Sequence, residues 1–126
     1  MTLHRAGEDY LKALYILQKD NGIVHSADIA RRLKLSRASV SHGVKLLLDE
    51  GLVRMDKDKR LHLTKAGAKS AEQIYEKHLV LKTWLIRAGV DAETAEKDAC
   101  GMEHAASDKS IAALREQLKN SQGDLA

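Results

Sequence analysis

The sequence contains no proline and no phenylalanine, one cysteine, and few aromatic residues, 3% of the chain. The absence of proline, together with many Ala, Leu, Lys and Glu residues, favours a mostly helical protein with short connections. A single cysteine cannot form an internal disulfide, which indicates a protein of the reducing cytoplasm. The N-terminus does not resemble a signal peptide and no apolar run approaches the length of a membrane span, so no membrane partner is expected.

The chain does contain a substantial hydrophobic fraction and an uneven charge distribution. Hydrophobic residues make up 44% of its 126 residues, which excludes a disordered chain. Residues 1–63 carry 12 Lys and Arg against 8 Asp and Glu, whereas residues 64–126 carry 9 against 10. The basic excess is concentrated in residues 31–60. A basic half joined to a near-neutral half indicates a polyanion-binding lobe attached to a second part.

Hydrophobic periodicity predicts three helices in the basic half. Apolar residues at helical spacing predict a first helix over 7–20, which the Asn-Gly pair at 21–22 ends. Ser26 is predicted to cap a short second helix. Ser36 is predicted to cap a third helix that stops at Gly51.

The remaining elements are predicted in the same way. Residues 52–55 and 60–64 alternate apolar and polar side chains around a polar turn, which predicts a β-hairpin. Thr64 is predicted to cap a long helix that reaches residue 88. One or two helical turns within 91–107 and a last helix over 108–119 follow. The sequence therefore predicts a mainly α fold, with a winged helix-turn-helix over 1–64 and an all-helical domain over 65–126.

The third helix and the hairpin tip carry the side chains expected to contact double-stranded DNA. A helix of this motif fits the major groove, and short polar side chains and cations read base edges and phosphates there. The alternative is a solvated helix face and a solvated turn, which the charge and the order of elements do not favour. The candidate DNA-binding residues are Ser36, Arg37, Ser39, Ser41, His42 and Lys45 on the helix, and Lys57, Lys59 and Arg60 on the wing.

The stretch DACGMEHAASD places a thiol, a carboxylate and an imidazole within five positions. In a helix, Cys100, Glu103 and His104 stand at i, i+3 and i+4 and share one face, so they can reach a single metal ion. A buried cysteine beside a surface Glu-His pair is the alternative from spacing alone. A thiol enzyme with His104 as base is disfavoured, because no orienting third group or oxyanion donor is evident.

These stretches resemble the diphtheria-toxin-repressor family of metal-dependent transcriptional regulators, which includes the manganese transport regulators. The similarity covers nearly the whole chain. It rests on EDYLKALYIL, ADIARRLKLSRASVSHGVKLLLDEGLV, LHLTKAGAKSAEQIYEKH and ACGMEHAASD, of which the last is the most specific. It implies a short form of the family without the SH3-like domain. It further implies a regulator, expected to repress metal-homeostasis genes, that binds palindromic operator DNA as a metal-loaded homodimer.

The resemblance also implies a ligand set. It adds His78 and Asp9 to Cys100, Glu103 and His104 as metal ligands, and Asp9 links the DNA-reading lobe to the ion. Thiolate, carboxylate and imidazole suit a first-row dication. The softness of the thiolate favours Fe²⁺, with Mn²⁺ second and Zn²⁺ or Co²⁺ possible.

Two departures from the family pattern concern a second metal position. Lys12 replaces one acidic ligand, while Lys82 and Glu96 replace a Glu and a His of the iron-type pattern. We expect the charge of Lys12 to stand in for a second ion, so that one ion binds per subunit. The alternative is that Lys12 points to solvent and pairs with Asp9.

The dimer contact is expected on the apolar face of the long helix, part of which also serves an internal core. Its residues are Ile74, Leu79, Leu81, Trp84, Leu85 and Ile86. The alternative function is a winged-helix repressor that does not use metal as its effector.

Overall fold

Helices joined by short connections and one β-hairpin follow each other in the predicted order. The computed structural model describes residues 5–124; residues 1–4 and 125–126, which belong to the predicted domains, lie outside this range. The elements are α1 (Arg5–Asn21), α2 (Ser26–Leu33), α3 (Arg37–Asp49), β1 (Val53–Met55), β2 (Leu61–Leu63), α4 (Lys65–Arg87), α5 (Ala92–Met102) and α6 (Asp108–Asp124). The mainly α fold with a winged helix-turn-helix is confirmed.

The chain divides into two compact units, Met1–Gln73 and Ile74–Ala126. This division lies inside α4, whereas the predicted boundary between residues 64 and 65 lies at the start of that helix. The first turn of α4 packs within the first unit, because a Cβ placed on Gly67 would lie 1.8 Å from the carbonyl oxygen of Leu52. The predicted domain division stays a prediction.

The core of the first unit forms where the apolar faces of α1, α2 and α3 meet. Leu11 and Leu14 of α1, Ile29 of α2, and Val40 and Leu47 of α3 are each at most 2% exposed. Burial of one such side chain contributes about 1.5–3 kcal/mol to stability. This packing turns the opposite, polar face of α3 toward solvent.

Two serines were predicted to cap helices, and the structure confirms one of them. Ser36 precedes α3, and its hydroxyl oxygen accepts a hydrogen bond from the backbone N–H of Ser39 at 3.1 Å. The prediction for Ser26 is wrong: Ser26 is the first residue of α2, and His25 is the N-cap. The backbone N–H of His25 donates to the carboxylate of Asp28 at 2.8 Å. An acidic side chain in the first turn of α2 therefore stabilises the start of this helix.

The wing is an antiparallel hairpin whose turn is organised by one carboxylate. Val53 pairs with Leu63 and Met55 with Leu61. Asp56 accepts hydrogen bonds from the backbone N–H groups of Asp58 at 2.8 Å and Arg60 at 3.0 Å. Its other oxygen lies 2.8 Å from His62 Nε2.

Thr64 joins the hairpin to the long helix, as predicted. Its hydroxyl oxygen accepts from the backbone N–H of Gly67 at 3.1 Å and its O–H donates to the carbonyl of Gly51 at 2.7 Å. One side chain therefore caps α4 and ties it to the turn that ends α3.

The second unit has its own small core between α4, α5 and α6. Val80, Leu81, Ala99 and Ile111 are buried there, and Trp84 packs against them. The indole N–H of Trp84 donates to the carbonyl of Leu114 at 2.9 Å, which satisfies its polar atom.

The helices of this unit are longer than predicted. α5 has 11 residues, about three turns, rather than one or two turns. It begins after Asp91, whose side chain accepts a hydrogen bond from the backbone N–H of Thr94 at 2.9 Å. α6 continues past residue 119 to Asp124. Within residues 5–124, no helix is both long enough and apolar enough to cross a membrane.

Gly43 allows the tightest approach between α1 and α3. A Cβ at this position would lie 1.8 Å from Cε2 of Tyr10, whose ring is buried. We expect Gly43→Ala to lower the free energy of unfolding by about 1–3 kcal/mol in urea denaturation, because the ring must move. In a Tyr10→Ala background the same change is expected to be neutral or stabilising, because alanine favours helix. A stabilising effect of Gly43→Ala on the unaltered chain would contradict this packing.

Asp56 is expected to hold the wing in shape. His62 and the backbone amides of Arg60 and Asp58 lower the pKa of Asp56 from 3.8 to about 2. Because this pKa is lowered by folding, the contribution of the carboxylate is present above pH ~4 and is lost as the pH falls through about 2. Near neutral pH, Asp56→Ala is expected to speed hydrogen exchange of the Asp58 and Arg60 amides. Asp58→Asn keeps both amides and is the control; unchanged exchange in Asp56→Ala would refute the role.

Candidate metal centre

Four of the five predicted ligands lie in the second unit, on α4 and at the end of α5. His78 belongs to α4 and Cys100 to the last turn of α5. Glu103 follows that helix directly, yet it keeps helical backbone angles and its N–H donates to the carbonyl of Ala99 at 2.9 Å. The helical spacing on which the prediction depended therefore continues through Glu103.

Two of these side chains, Cys100 and Glu103, approach the imidazole of His78. Its Nδ1 lies 3.1 Å from a carboxylate oxygen of Glu103 and 3.7 Å from the sulfur of Cys100. The other oxygen of Glu103 lies 3.5 Å from Nε2 of His104. The structure thus links the four predicted side chains pairwise: Cys100 and Glu103 lie beside His78, and His104 lies beside Glu103. Within the described residues, His78 and Cys100 fall in one group of closely spaced ligand atoms, and Glu103 and His104 fall in another.

Burial makes this cluster chemically unusual. The side chain of Glu103 has 0% exposure, and those of His78 and His104 have 5% and 7%. A buried carboxylate is costly unless a positive charge or several hydrogen bonds compensate it. A bound dication would supply such a charge.

Glu96 joins the cluster although the sequence analysis did not count it as a ligand. One of its carboxylate oxygens contacts Nε2 of His78 and lies 4.0 Å from the sulfur of Cys100. Ligand atoms of His78, Glu96 and Cys100 all lie within 4.8 Å of one another. The signal that would have found it is its i, i+4 spacing to Cys100 on α5.

The donor set fits the metal that the resemblance implies. Cysteine sulfur and imidazole nitrogen favour borderline or soft ions, and the carboxylates add negative charge, which together suit first-row dications better than Mg²⁺ or Ca²⁺. The residues that would hold such an ion in this unit are His78, Cys100, Glu103 and His104. Their assignment as ligands stays a prediction.

Neighbouring contacts join α4 to the connection between α5 and α6. The ammonium of Lys77 donates to the carbonyl of Ala106 at 3.2 Å and lies 2.9 Å from the carboxylate of Asp108. The ring of Tyr75 is nearly parallel to that of His78, with 6.3 Å between centroids. Lys77 and Tyr75 both precede His78 on α4, so these contacts restrict the helix on the N-terminal side of the candidate ligand.

Asp9 and Lys12 lie on α1 in the first unit. Asp9 is partly buried and Lys12 is only 8% exposed. The alternative in which Lys12 points to solvent is therefore wrong. The roles predicted for Asp9 as a ligand and for Lys12 as a substitute for a second ion stay predictions.

The nine candidate DNA-binding residues all lie on exposed surface of the first unit. Ser36 and the α3 residues Arg37, Ser39, Ser41, His42 and Lys45 are exposed, as are Lys57, Lys59 and Arg60 of the wing. Arg37, Ser41 and Lys45 stand four residues apart and so share one stripe of α3. An exposed cationic stripe beside a basic hairpin has the chemistry needed to contact phosphates and base edges.

Both halves of the chain match models of known protein families. The model of the iron dependent repressor N-terminal DNA binding domain matches residues 2–61. The model of the iron dependent repressor metal binding and dimerisation domain matches residues 64–124.

Individual relatives match over most of this chain. The transcriptional regulator MntR of Escherichia coli O6:H1 is 33% identical over 108 residues, 86% of this chain and 70% of that protein. The HTH-type transcriptional regulator MJ0568 of Methanocaldococcus jannaschii is 32% identical over 110 residues, 86% of this chain and 88% of that protein.

A solved structure agrees with these matches. The structure of the manganese regulator SloR superimposes with a TM-score of 0.82 at 33% identity, covering 94% of this chain and 55% of that one. The chain thus spans about half the length of that structure. Because the two family models together account for nearly all of its residues, the chain belongs to the iron-dependent repressor family of metal-dependent transcriptional regulators, which includes the manganese transport regulators.

Proposed function

We propose that this protein is a metal-dependent transcriptional repressor that binds palindromic operator DNA as a homodimer when a first-row dication is bound. The observation that carries the proposal is the buried carboxylate of Glu103, which lies within 3.5 Å of the imidazoles of His78 and His104. The first unit adds an exposed basic helix and wing. Since such a repressor acts on chromosomal DNA, we also propose a cytoplasmic location.

Four residues of the second unit would hold the ion: His78, Cys100, Glu103 and His104. Asp9 of the first unit is the proposed fifth ligand, on the strength of the family resemblance. When bound, the metal supplies a positive charge that offsets the buried carboxylate and the thiolate. The chain's own residues position the nitrogen, sulfur and oxygen donors around it.

Fe²⁺ is the first choice of metal and Mn²⁺ the second. The cysteine thiolate is a softer ligand than the carboxylate that it replaces, which favours Fe²⁺. The matched family models describe iron dependent repressors, whereas the structural relative SloR is a manganese regulator. Zn²⁺ and Co²⁺ suit the same donors and serve as experimental probes.

Helix α4 provides a continuous connection between the DNA-reading and metal-binding elements. It begins one residue after Thr64, which caps it from the end of the wing, and it carries His78 further along the same helix. A ligand that favours one arrangement of the two functions changes DNA affinity by their coupling free energy, about 1–3 kcal/mol in typical cases. That range corresponds to a change of about 5- to 150-fold.

Exposed apolar residues of α4 support a homodimer. The predicted dimer face included Leu81 and Trp84, but these pack in the internal core of the second unit. Leu79 and Ile86 remain 44% exposed each and stand seven residues apart, on one face of the helix. We propose that they contact a second copy of the chain, in line with the matched dimerisation domain.

Removing either end of the ligand cluster is expected to abolish metal-dependent DNA binding. Cys100→Ala and His104→Ala each delete a donor, so the operator affinity of the metal-loaded protein should fall to that of the metal-free protein. Operator sites selected from random DNA with Mn²⁺ or anaerobic Fe²⁺ provide the probe for fluorescence anisotropy and footprinting. The variants should remain folded dimers by sedimentation and circular dichroism. Full operator occupancy in excess chelator would favour the metal-independent alternative.

We expect α3 and the wing to contact different parts of the DNA, bases and phosphates respectively. Lys59→Ala should weaken binding to all sequences and reduce the salt dependence, because a phosphate contact is lost. Arg37→Ala should relax preference at one base position at a cost of about 1–3 kcal/mol. Affinities for single-base operator variants at several salt concentrations separate the two effects. A changed base preference with an unchanged salt slope in Lys59→Ala would contradict the role given to the wing.

A further inference from the structure

The imidazole of His78 lies between two carboxylates, one at each ring nitrogen. On the Nδ1 side, Glu103 lies at 3.1 Å and the sulfur of Cys100 at 3.7 Å. On the Nε2 side, His78 contacts Glu96. The two nitrogens of this ring therefore face different chemical surroundings.

We propose that Glu96 and Lys82 are positioning residues for the metal ligand His78. Glu96 accepts a hydrogen bond from Nε2–H, which leaves the lone pair of Nδ1 directed at the ion. This inference rests on the proposed function, because it assumes a metal on the Nδ1 side. A neutral imidazole carries one N–H and one lone pair, so the partner of one nitrogen determines what the other can do. Metal-ligating histidines commonly donate their second N–H to a carboxylate in this way.

The positions of the other donors select Nδ1 as the ligating atom. Cys100 and Glu103 both approach that nitrogen, and Glu103 also lies beside His104. An ion that uses the buried carboxylate therefore meets Nδ1 of His78. Nε2 then remains for Glu96.

Lys82 fixes the orientation of the Glu96 carboxylate, which in turn orients the imidazole of His78. Its ammonium donates to Oε1 of Glu96 at 3.2 Å, while Oε2 of the same carboxylate contacts His78. Lys82 stands one turn after His78 on α4, so the ion pair spans from α4 to α5 beside the ring. The side chain of Glu96 is 50% exposed, and without this cation it has access to other orientations in water or to the metal itself.

The experiment measures Zn²⁺ affinity of the full chain by competition with a chromophoric chelator. We expect Glu96→Ala to weaken Zn²⁺ binding by about 10- to 100-fold, the usual effect of losing such a partner. Lys82→Met should weaken it in the same direction. Glu96→Gln retains an acceptor oxygen and should restore most of the affinity.

Two further variants separate positioning from a merely structural ion pair. The double variant Lys82→Glu/Glu96→Lys restores an ion pair between the helices but places a donor against Nε2, so its affinity should stay low. Glu76→Ala is the matched control, because Glu76 is also 50% exposed and its ion pair with Arg115, 2.9 Å long, lies in the same unit. Recovery of affinity in the double variant would overturn the proposal, as would an equal loss in Glu76→Ala.

Long-range ¹H–¹⁵N NMR of the Zn²⁺-loaded unaltered chain tests the same point without a substitution. We expect His78 to show a protonated Nε2 and a metal-bound Nδ1, with its signal identified in a His78→Gln sample. A metal-bound Nε2 would overturn the proposal. A loss of one ligand in the Co²⁺ absorption spectrum of Glu96→Ala would also overturn it, because Glu96 would then be a ligand. If the unaltered chain binds no Zn²⁺, Co²⁺ or Mn²⁺, the proposed function fails too; unchanged affinity in Glu96→Ala removes this inference alone.

Discussion

The side chain of Glu103 has no exposed surface, and its carboxylate lies between the imidazoles of His78 and His104. A carboxylate in this position is stabilised by nearby positive charge or strong donors, and His78 and His104 approach its two oxygens. The hydrophobic contacts of Val80, Ala99 and Ile111 keep α4, α5 and α6 together behind it. Apolar packing therefore fixes the helices that carry these side chains.

The first unit has a different physical basis. Its core consists of aliphatic side chains from α1, α2 and α3, and Gly43 lets the ring of Tyr10 approach α3 closely. Close packing on one face of α3 leaves Arg37, Ser41 and Lys45 on the exposed face. The polar residues of this helix are thus presented by a scaffold that does not depend on them. Substitution of these exposed residues should therefore have little effect on the fold.

Helix α4 contributes residues to both units, because the division of the chain lies inside it. Thr64 ties the beginning of this helix to the turn after α3, and the same helix carries His78 and Lys82 toward its other end. This continuity is the physical reason for proposing that the state of the metal centre influences the DNA-reading elements.

Local signals in the sequence were sufficient for most of the fold. Apolar periodicity, the cap at Ser36, the polar turn before Arg60 and the cap at Thr64 act between residues close in the chain, so they predict elements without knowledge of the tertiary structure. The i, i+3, i+4 spacing of Cys100, Glu103 and His104 belongs to the same class. The error at Ser26 arose where two neighbouring residues compete for one helix start and the side chain of Asp28 decides between them.

Only the tertiary structure decided features that depend on separate segments. His78 entered the candidate site through family resemblance, and its distances to Glu103 and Cys100 follow from the packing of α4 against α5. In the sequence, Glu96 and Lys82 stand where the family pattern has metal ligands of other types. In the structure they form one ion pair beside His78. The sequence also could not show which apolar residues of α4 belong to the core and which lie on the surface. In the structure, Leu81 is buried and Leu79 is exposed. Spacing along one helix determines which side chains share a face, but burial and contacts across helices depend on what packs against that face.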